Sequence, residues 1–234
     1  MSETRQAYQE EMERIEASAL GGLDMVVESL DRAMMALAGR DARLAALVIA
    51  DDDRIDGRYL EVHQSILTLI AREAPVATDL RLAAALLHTI RHVERMGDQC
   101  VNICKLVPLL GHDPPVVDEI AERIQEMGRL ARVQTEGAKR CFTTRSVELA
   151  EVVAAEDAVI NRLNRDIFQL ALEAGTDFDT REWATCMMLV ARCLERVGDN
   201  AVDICEQAAF VVTGLFRELS DASRPVSLRS GDEG

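Results

Sequence analysis

The stretch Arg91-His92-Val93-Glu94-Arg95-Met96-Gly97-Asp98-Gln99-Cys100-Val101-Asn102-Ile103-Cys104 returns about a hundred residues later as Arg192-Cys193-Leu194-Glu195-Arg196-Val197-Gly198-Asp199-Asn200-Ala201-Val202-Asp203-Ile204-Cys205. Both copies keep Glu-Arg-x-Gly-Asp, and Asn102 or Asp203 follows one turn after the aspartate. At about 100° per residue, Glu94, Asp98 and Asn102 form one stripe of a helix, and Glu195, Asp199 and Asp203 form its counterpart. Leu86, Ile90, Val93, Cys100, Val101 and Cys104 fall on the broad opposite face and read as core. Glu206 extends the second stripe, whereas the equivalent place in the first is Lys105.

The repetition continues outward from this motif. Asp41-Ala42-Arg43-Leu44-Ala45 matches Ser146-Val147-Glu148-Leu149-Ala150, Asp52-x-x-Ile55-Asp56 matches Asp157-x-x-Ile160-Asn161, and Glu61 matches Asp166. Helical periodicity predicts a first helix to about Ala38, closed by Gly39, and a second from Ala42 to about Arg72 with Asp41 as its cap. Its inward positions read as Leu44, Leu47, Val48, Ile55, Leu60, Ile66, Leu67 and Ile70. Pro75 ends it, and Thr78 or Asp79 starts a third helix reaching about Leu110. After Gly111-His112-Asp113-Pro114-Pro115 the pattern recurs, with Ser146 as a cap and Asp179 with Glu182 as a capping box. The sixth helix is predicted to reach about Leu219.

These readings give an all-α protein of two tandem antiparallel three-helix bundles, lying in series or side by side. The first repeat spans 1–111 and the second 112–219, and 220–234 reads as a disordered tail. Helices of about 30 residues would be about 45 Å long. Aromatic residues make up 3% of the 234 residues, which gives strands little support.

A formal charge of −15 argues against non-specific nucleic-acid binding and against docking on anionic lipid. It suits a protein that binds cations or a basic protein surface. The N-terminus shows no secretory signal, and no apolar run approaches the length of a membrane span, so a cytoplasmic protein without direct membrane insertion is expected. The six cysteines include no Cys-x-x-Cys and read as reduced, buried, small hydrophobes. His88 and His92 stand four apart without the glutamate of a zinc-protease motif, and no Glu-x-x-His pair of a di-iron oxidase exists.

Acids one turn apart repel by about 0.2–0.5 kcal/mol on an exposed helix, so a repulsion installed twice needs compensation. A divalent or trivalent cation supplies it, with carboxylate and amide oxygens as ligands. The primary candidates are Glu94, Asp98, Asn102, Glu195, Asp199 and Asp203. Asp52, Asp56, Glu61, Asp157, Asp166 and Glu206 are secondary candidates. Gly97 and Gly198 cost about 1 kcal/mol each inside a helix relative to Ala, which points to a neighbouring helix approaching the backbone there. The competing reading makes the arginines and acids ion pairs that lock the bundle.

Two tandem three-helix units with these motifs resemble the PhoU family. Thr78-Asp79-Leu80-Arg81 and the endings Asn102-Ile103-Cys104 and Asp203-Ile204-Cys205 share the resemblance, which covers about residues 5–217. It implies a non-enzymatic negative regulator of phosphate uptake and of the phosphate regulon. Such a regulator would bridge the phosphate ABC importer, through its ATPase subunit, to a sensor histidine kinase. It also implies iron or zinc on the Glu/Asp-x-x-x-Asp pairs, here Glu94/Asp98 and Glu195/Asp199, with magnesium or manganese open. A homodimer or higher oligomer is expected. Lys105 and Asn161 depart from two equal sites, and the second repeat, with Asp203 and Glu206, is slightly favoured. A metal-independent helical scaffold and a carboxylate-bridged metalloenzyme stand as alternatives.

Overall fold

The computed structural model describes residues 3–111, 115–175 and 177–219. Its elements are α1 (Glu3–Gly39), α2 (Ala42–Asp51), α3 (Asp53–Glu73), α4 (Ala77–Leu106), a 3-10 turn (Val107–Leu110), α5 (Asp118–Thr144), α6 (Val147–Glu173) and α7 (Phe178–Thr213). The all-α expectation holds, with one change: the second predicted helix is divided at Asp52 into α2 and α3. The predicted tail, 220–234, lies outside the described residues. No described helix is long and apolar enough to cross a membrane.

Two of the predicted caps are present. Asp41 accepts from the Arg43 and Leu44 amides at 2.9 Å, and Ser146 Oγ accepts from Leu149 N at 3.1 Å. Others are displaced. Asp177, not Asp179, caps α7 by accepting from Thr180 N at 2.8 Å. Val76 precedes α4 without a side-chain cap, leaving Thr78 and Asp79 inside the first turn. The left-handed residue after α1 is Arg40, at φ 52°, and α7 ends at Thr213 with Gly214 at φ 73°.

The two repeats lie side by side and share one apolar core drawn from all seven helices. Counterparts pair across the boundary, α1 along α5 and α4 along α7, as a pseudo-twofold relation produces. In α4 the predicted core face is buried throughout. In α2 and α3 the predicted inward positions Val48, Ile55 and Ile66 are buried and Leu44 and Ile70 half-buried, but the other three are not. Ala45, Val48, Ile55, Val62, Ile66 and Leu69 are buried, while Leu47, Leu60 and Leu67 point outward. The buried positions keep one heptad spacing from Ala45 through Leu69 across the break, and Leu47, Leu60 and Leu67 are apolar residues that lie off that stripe.

Charge also joins the repeats. Along the antiparallel α1–α5 seam, Arg145 meets Glu16 at 2.7 Å, Lys139 meets Asp24 at 2.6 Å, and Arg132 meets Asp31 at 3.1 Å. Half-exposed pairs contribute about 0.2–1 kcal/mol each, so they set alignment while the core supplies most of the stability. Reversing two of these charges together, Arg132→Glu with Lys139→Glu, should lower Tm by about 2–6 °C in dilute buffer and by less in ~1 M salt. An unchanged Tm in thermal denaturation would show that the seam is electrostatically indifferent.

Candidate acidic sites

Each repeated motif faces the helix that precedes it. An ideal Cβ on Gly97 would lie 2.9 Å from Asp52 Oδ1 and 3.0 Å from Ile55 Cδ1. On Gly198 it would lie 2.6 Å from Gln134 Oε1 and 2.9 Å from Asp157 Oδ1. The glycines therefore do what their position implies: they admit a neighbouring helix, and the group admitted is the matching aspartate in each repeat.

In the first repeat, Asp52 sits at the break between α2 and α3, with Oδ1 buried and without a hydrogen-bond partner. Glu94 Oε1 accepts from Arg91 at 3.1 Å, but Glu94 Oε2 is buried and unpartnered. Burial, followed by the charges of Asp56, Asp98, Asp53 and Glu94, pushes Asp52 up to about 6. Glu94 is also raised, chiefly by burial, with Asp98 and Asp56 adding to it against Arg91. Asp52, Asp56, Glu94 and Asp98 thus form one electrostatic group.

The second repeat answers the same crowding with amides. Asp157 is buried, and it accepts from Asn161 Nδ2 at 2.6 Å and from Gln134 Nε2 at 3.4 Å. Burial still raises its pKa, while those two bonds oppose the rise. Glu195 is buried and ion-paired with Arg192. Asp199 is pushed up to about 6, first by burial and then by Glu195 and Asp157.

The remaining sequence candidates have other surroundings. Asp203 Oδ2 lies 3.4 Å from His92 Nδ1, which donates to Asn200 Oδ1 at 2.9 Å, a polar link from α4 to α7. Glu206 is buried and accepts from Leu219 N at 2.6 Å, holding the segment that follows α7. Asn102 is exposed. Glu61 and Asp166 lie nine residues beyond Asp52 and Asp157, about 13 Å along their helices, so they stand apart from the acid groups.

Gln134 is the participant that motif spacing missed. Both α1 and α5 end in a left-handed arginine, Arg40 and Arg145, and the same spacing back from those ends sets Gln134 against Ser29. Asp52 Oδ1 is left without a donor. The available signal was a glutamine inside the apolar stripe of α5 between Ala131 and Ala138. Together with Asn161, Gln134 gives Asp157 donors that Asp52 lacks, and the buried carboxylate oxygens without a partner among the described residues are those of Asp52 and Glu94.

Among the described residues, no three His, Cys, Asp or Glu side chains stand grouped to hold a metal ion. The first-repeat acids still fit a hard cation in one respect, because two buried oxygens lack any donor and all the nearby ligands are oxygens. Thiolate ligation finds no support there. Burial pushes Cys100 up to about 12 and Cys104 up to about 11, which keeps both protonated.

The fold and the acid pairs define a tandem-repeat helical protein with two related but unequal carboxylate clusters. A family model described as the PhoU domain matches residues 23–107 and 124–208, and the chain belongs to the PhoU family. It is similar to the "Phosphate-specific transport system accessory protein PhoU homolog" of Caulobacter vibrioides, 31% identical over 214 residues, covering 90% of this chain and 92% of that protein. The homologue from Clostridium acetobutylicum is 26% identical over 220 residues, 93% of this chain and all of that one. The crystal structure of the phosphate transport system regulatory protein PhoU from Streptococcus pneumoniae superposes with a TM-score of 0.83 at 25% identity. That match covers 90% of this chain and 99% of the other.

Two outcomes test the geometry. Gly97→Ala and Gly198→Ala should each destabilise by about 1–3 kcal/mol in denaturant melts, although alanine favours a helix by about 1 kcal/mol. Stabilisation would mean that the helices are not in contact there. Because Asp52 is raised in the folded state, the folded protein holds its proton more tightly than the unfolded chain. Its contribution favours folding at low pH and is lost as pH rises from about 4 through about 6. Asp52→Asn should therefore melt higher than the unaltered protein at pH 7.5, with the gap closing toward pH 4. A gap independent of pH would contradict this.

Proposed function

We propose that this chain is a non-enzymatic accessory regulator of phosphate transport, with the first-repeat acids as its cation-responsive site. Its relatives are named as accessory proteins of a phosphate-specific transport system, which supports the transport role. In this reading it restrains the phosphate ABC importer through the ATPase subunit, links it to a sensor histidine kinase, and represses the phosphate regulon from the cytoplasm as a homodimer or higher oligomer.

The observation that carries the cation site is the pair of buried, donor-less oxygens, Asp52 Oδ1 and Glu94 Oε2, beside Gly97. Asp52, Asp56, Glu94 and Asp98 would hold the ion after rotation of their side chains. The ion would offset their mutual repulsion and tie α3 to α4. An all-oxygen set suits Mg²⁺, Mn²⁺ or Ca²⁺ by ligand hardness, while the family resemblance points to iron or zinc. A metal-independent adaptor is the second reading, favoured by the arginine already paired with each glutamate.

Elemental analysis of untagged protein combined with a phosphate-repression reporter separates the two. Glu94→Ala with Asp98→Ala should lose bound metal and release repression in ample phosphate. The corresponding Glu195→Ala with Asp199→Ala variant should retain most of the metal. Folded Glu94/Asp98 variants that repress normally would sink the cation site.

A further inference from the structure

A groove of about 430 Å³ opens between α6 and α7, one turn before the second acid pair. Its floor and walls are Phe168, Met188 and Leu189, and Arg165 and Arg192 stand at its edge. Phe168 is 47% exposed, Leu189 50%, and Leu172, one turn beyond Phe168, 66%. No carboxylate lines it. In a chain of net charge −15, that makes it an apolar, cationic spot on an acidic molecule. Arg165 has no ion pair among the described residues, whereas Arg192 holds Glu195.

The matching place in the first repeat is filled differently. Counting back along each helix pair, Asn164 replaces Tyr59, Phe168 replaces His63, and Leu189 replaces His88. There Arg91 lies over the Tyr59 ring, 5.6 Å from its centroid, and Tyr59 packs on His63 at 5.6 Å. Each arginine pairs with the glutamate of its own motif, but Arg192 has no ring at Asn164 to lie over, and the apolar side chains beside it stay uncovered.

We propose that this groove docks an amphipathic helix of the transport machinery, one whose apolar stripe is flanked by carboxylates. The partner's apolar residues would seat on Phe168 and Leu189, and its acids on Arg165 and Arg192. Charge complementarity at the groove itself selects that occupant: Arg165 stands at its edge without an ion pair among the described residues, and no carboxylate lines it. The assignment rests on the regulatory reading above.

The test is binding of the full-length protein to the purified importer with its ATPase subunit, measured at an immobilised surface. Phe168→Asp with Leu189→Asp should weaken binding by more than about tenfold while circular dichroism and Tm stay unchanged. Arg165→Glu should slow association several-fold, and Arg14→Glu, a charge reversal on the first repeat, should leave it unchanged. Equal binding by the Phe168/Leu189 variant overturns the groove, as does a variant that loses self-association and keeps importer binding. No binding by the unaltered protein overturns the regulatory reading itself, and this partner assignment with it.

Discussion

A carboxylate wedged against a glycine is the contact on which the rest of this structure depends. Gly97 and Gly198 bring α3 and α6 so close to the motif helices that Asp52 and Asp157 enter the seam between helices. Burial there raises both acids, and the glutamate one turn before the glycine adds its own charge. A helix with alanine at that place would be intrinsically more stable but could not admit the acid. The glycine thus trades helix stability for a charged seam, and it does so twice.

The two seams then resolve the same problem differently. In the second repeat, Gln134 and Asn161 donate to Asp157, so the crowded carboxylate finds neutral partners inside the fold. In the first, Ser29 stands at the position that matches Gln134, and Asp56 adds charge where Asn161 adds a donor. Two buried oxygens are left without partners. Buried polar atoms are rarely left unsatisfied, so an external cation or a proton is the natural complement. Divergence after duplication has given Asp157 amide donors, with Gln134 Oε1 itself left unpartnered, and has left Asp52 and Glu94 each with a buried oxygen that lacks a donor.

Much of this was legible in the sequence because a duplicated motif is its own control. The all-α class, the repeat boundaries of the motif helices, the caps Asp41 and Ser146, and the partners Asp52 and Asp157 all follow from periodicity and matched offsets. What failed had local causes. Leu47, Leu60 and Leu67 are apolar but lie off the heptad stripe that runs from Ala45 to Leu69, so they face solvent. Glu206 lies on the acid stripe by spacing, yet it turns to the Leu219 amide, a tertiary contact that helical periodicity does not encode. Gln134 was equally out of reach of motif spacing: it comes from a different helix, and only packing brings it to Asp157.

The central claim is that the first seam takes a cation and the second does not need one. Anomalous diffraction from crystals equilibrated with Mn²⁺ tests it most directly. The account predicts a peak among Asp52, Glu94 and Asp98 with nothing of comparable height among Asp157, Glu195 and Asp199. A peak confined to the second cluster, or none at either, would contradict it.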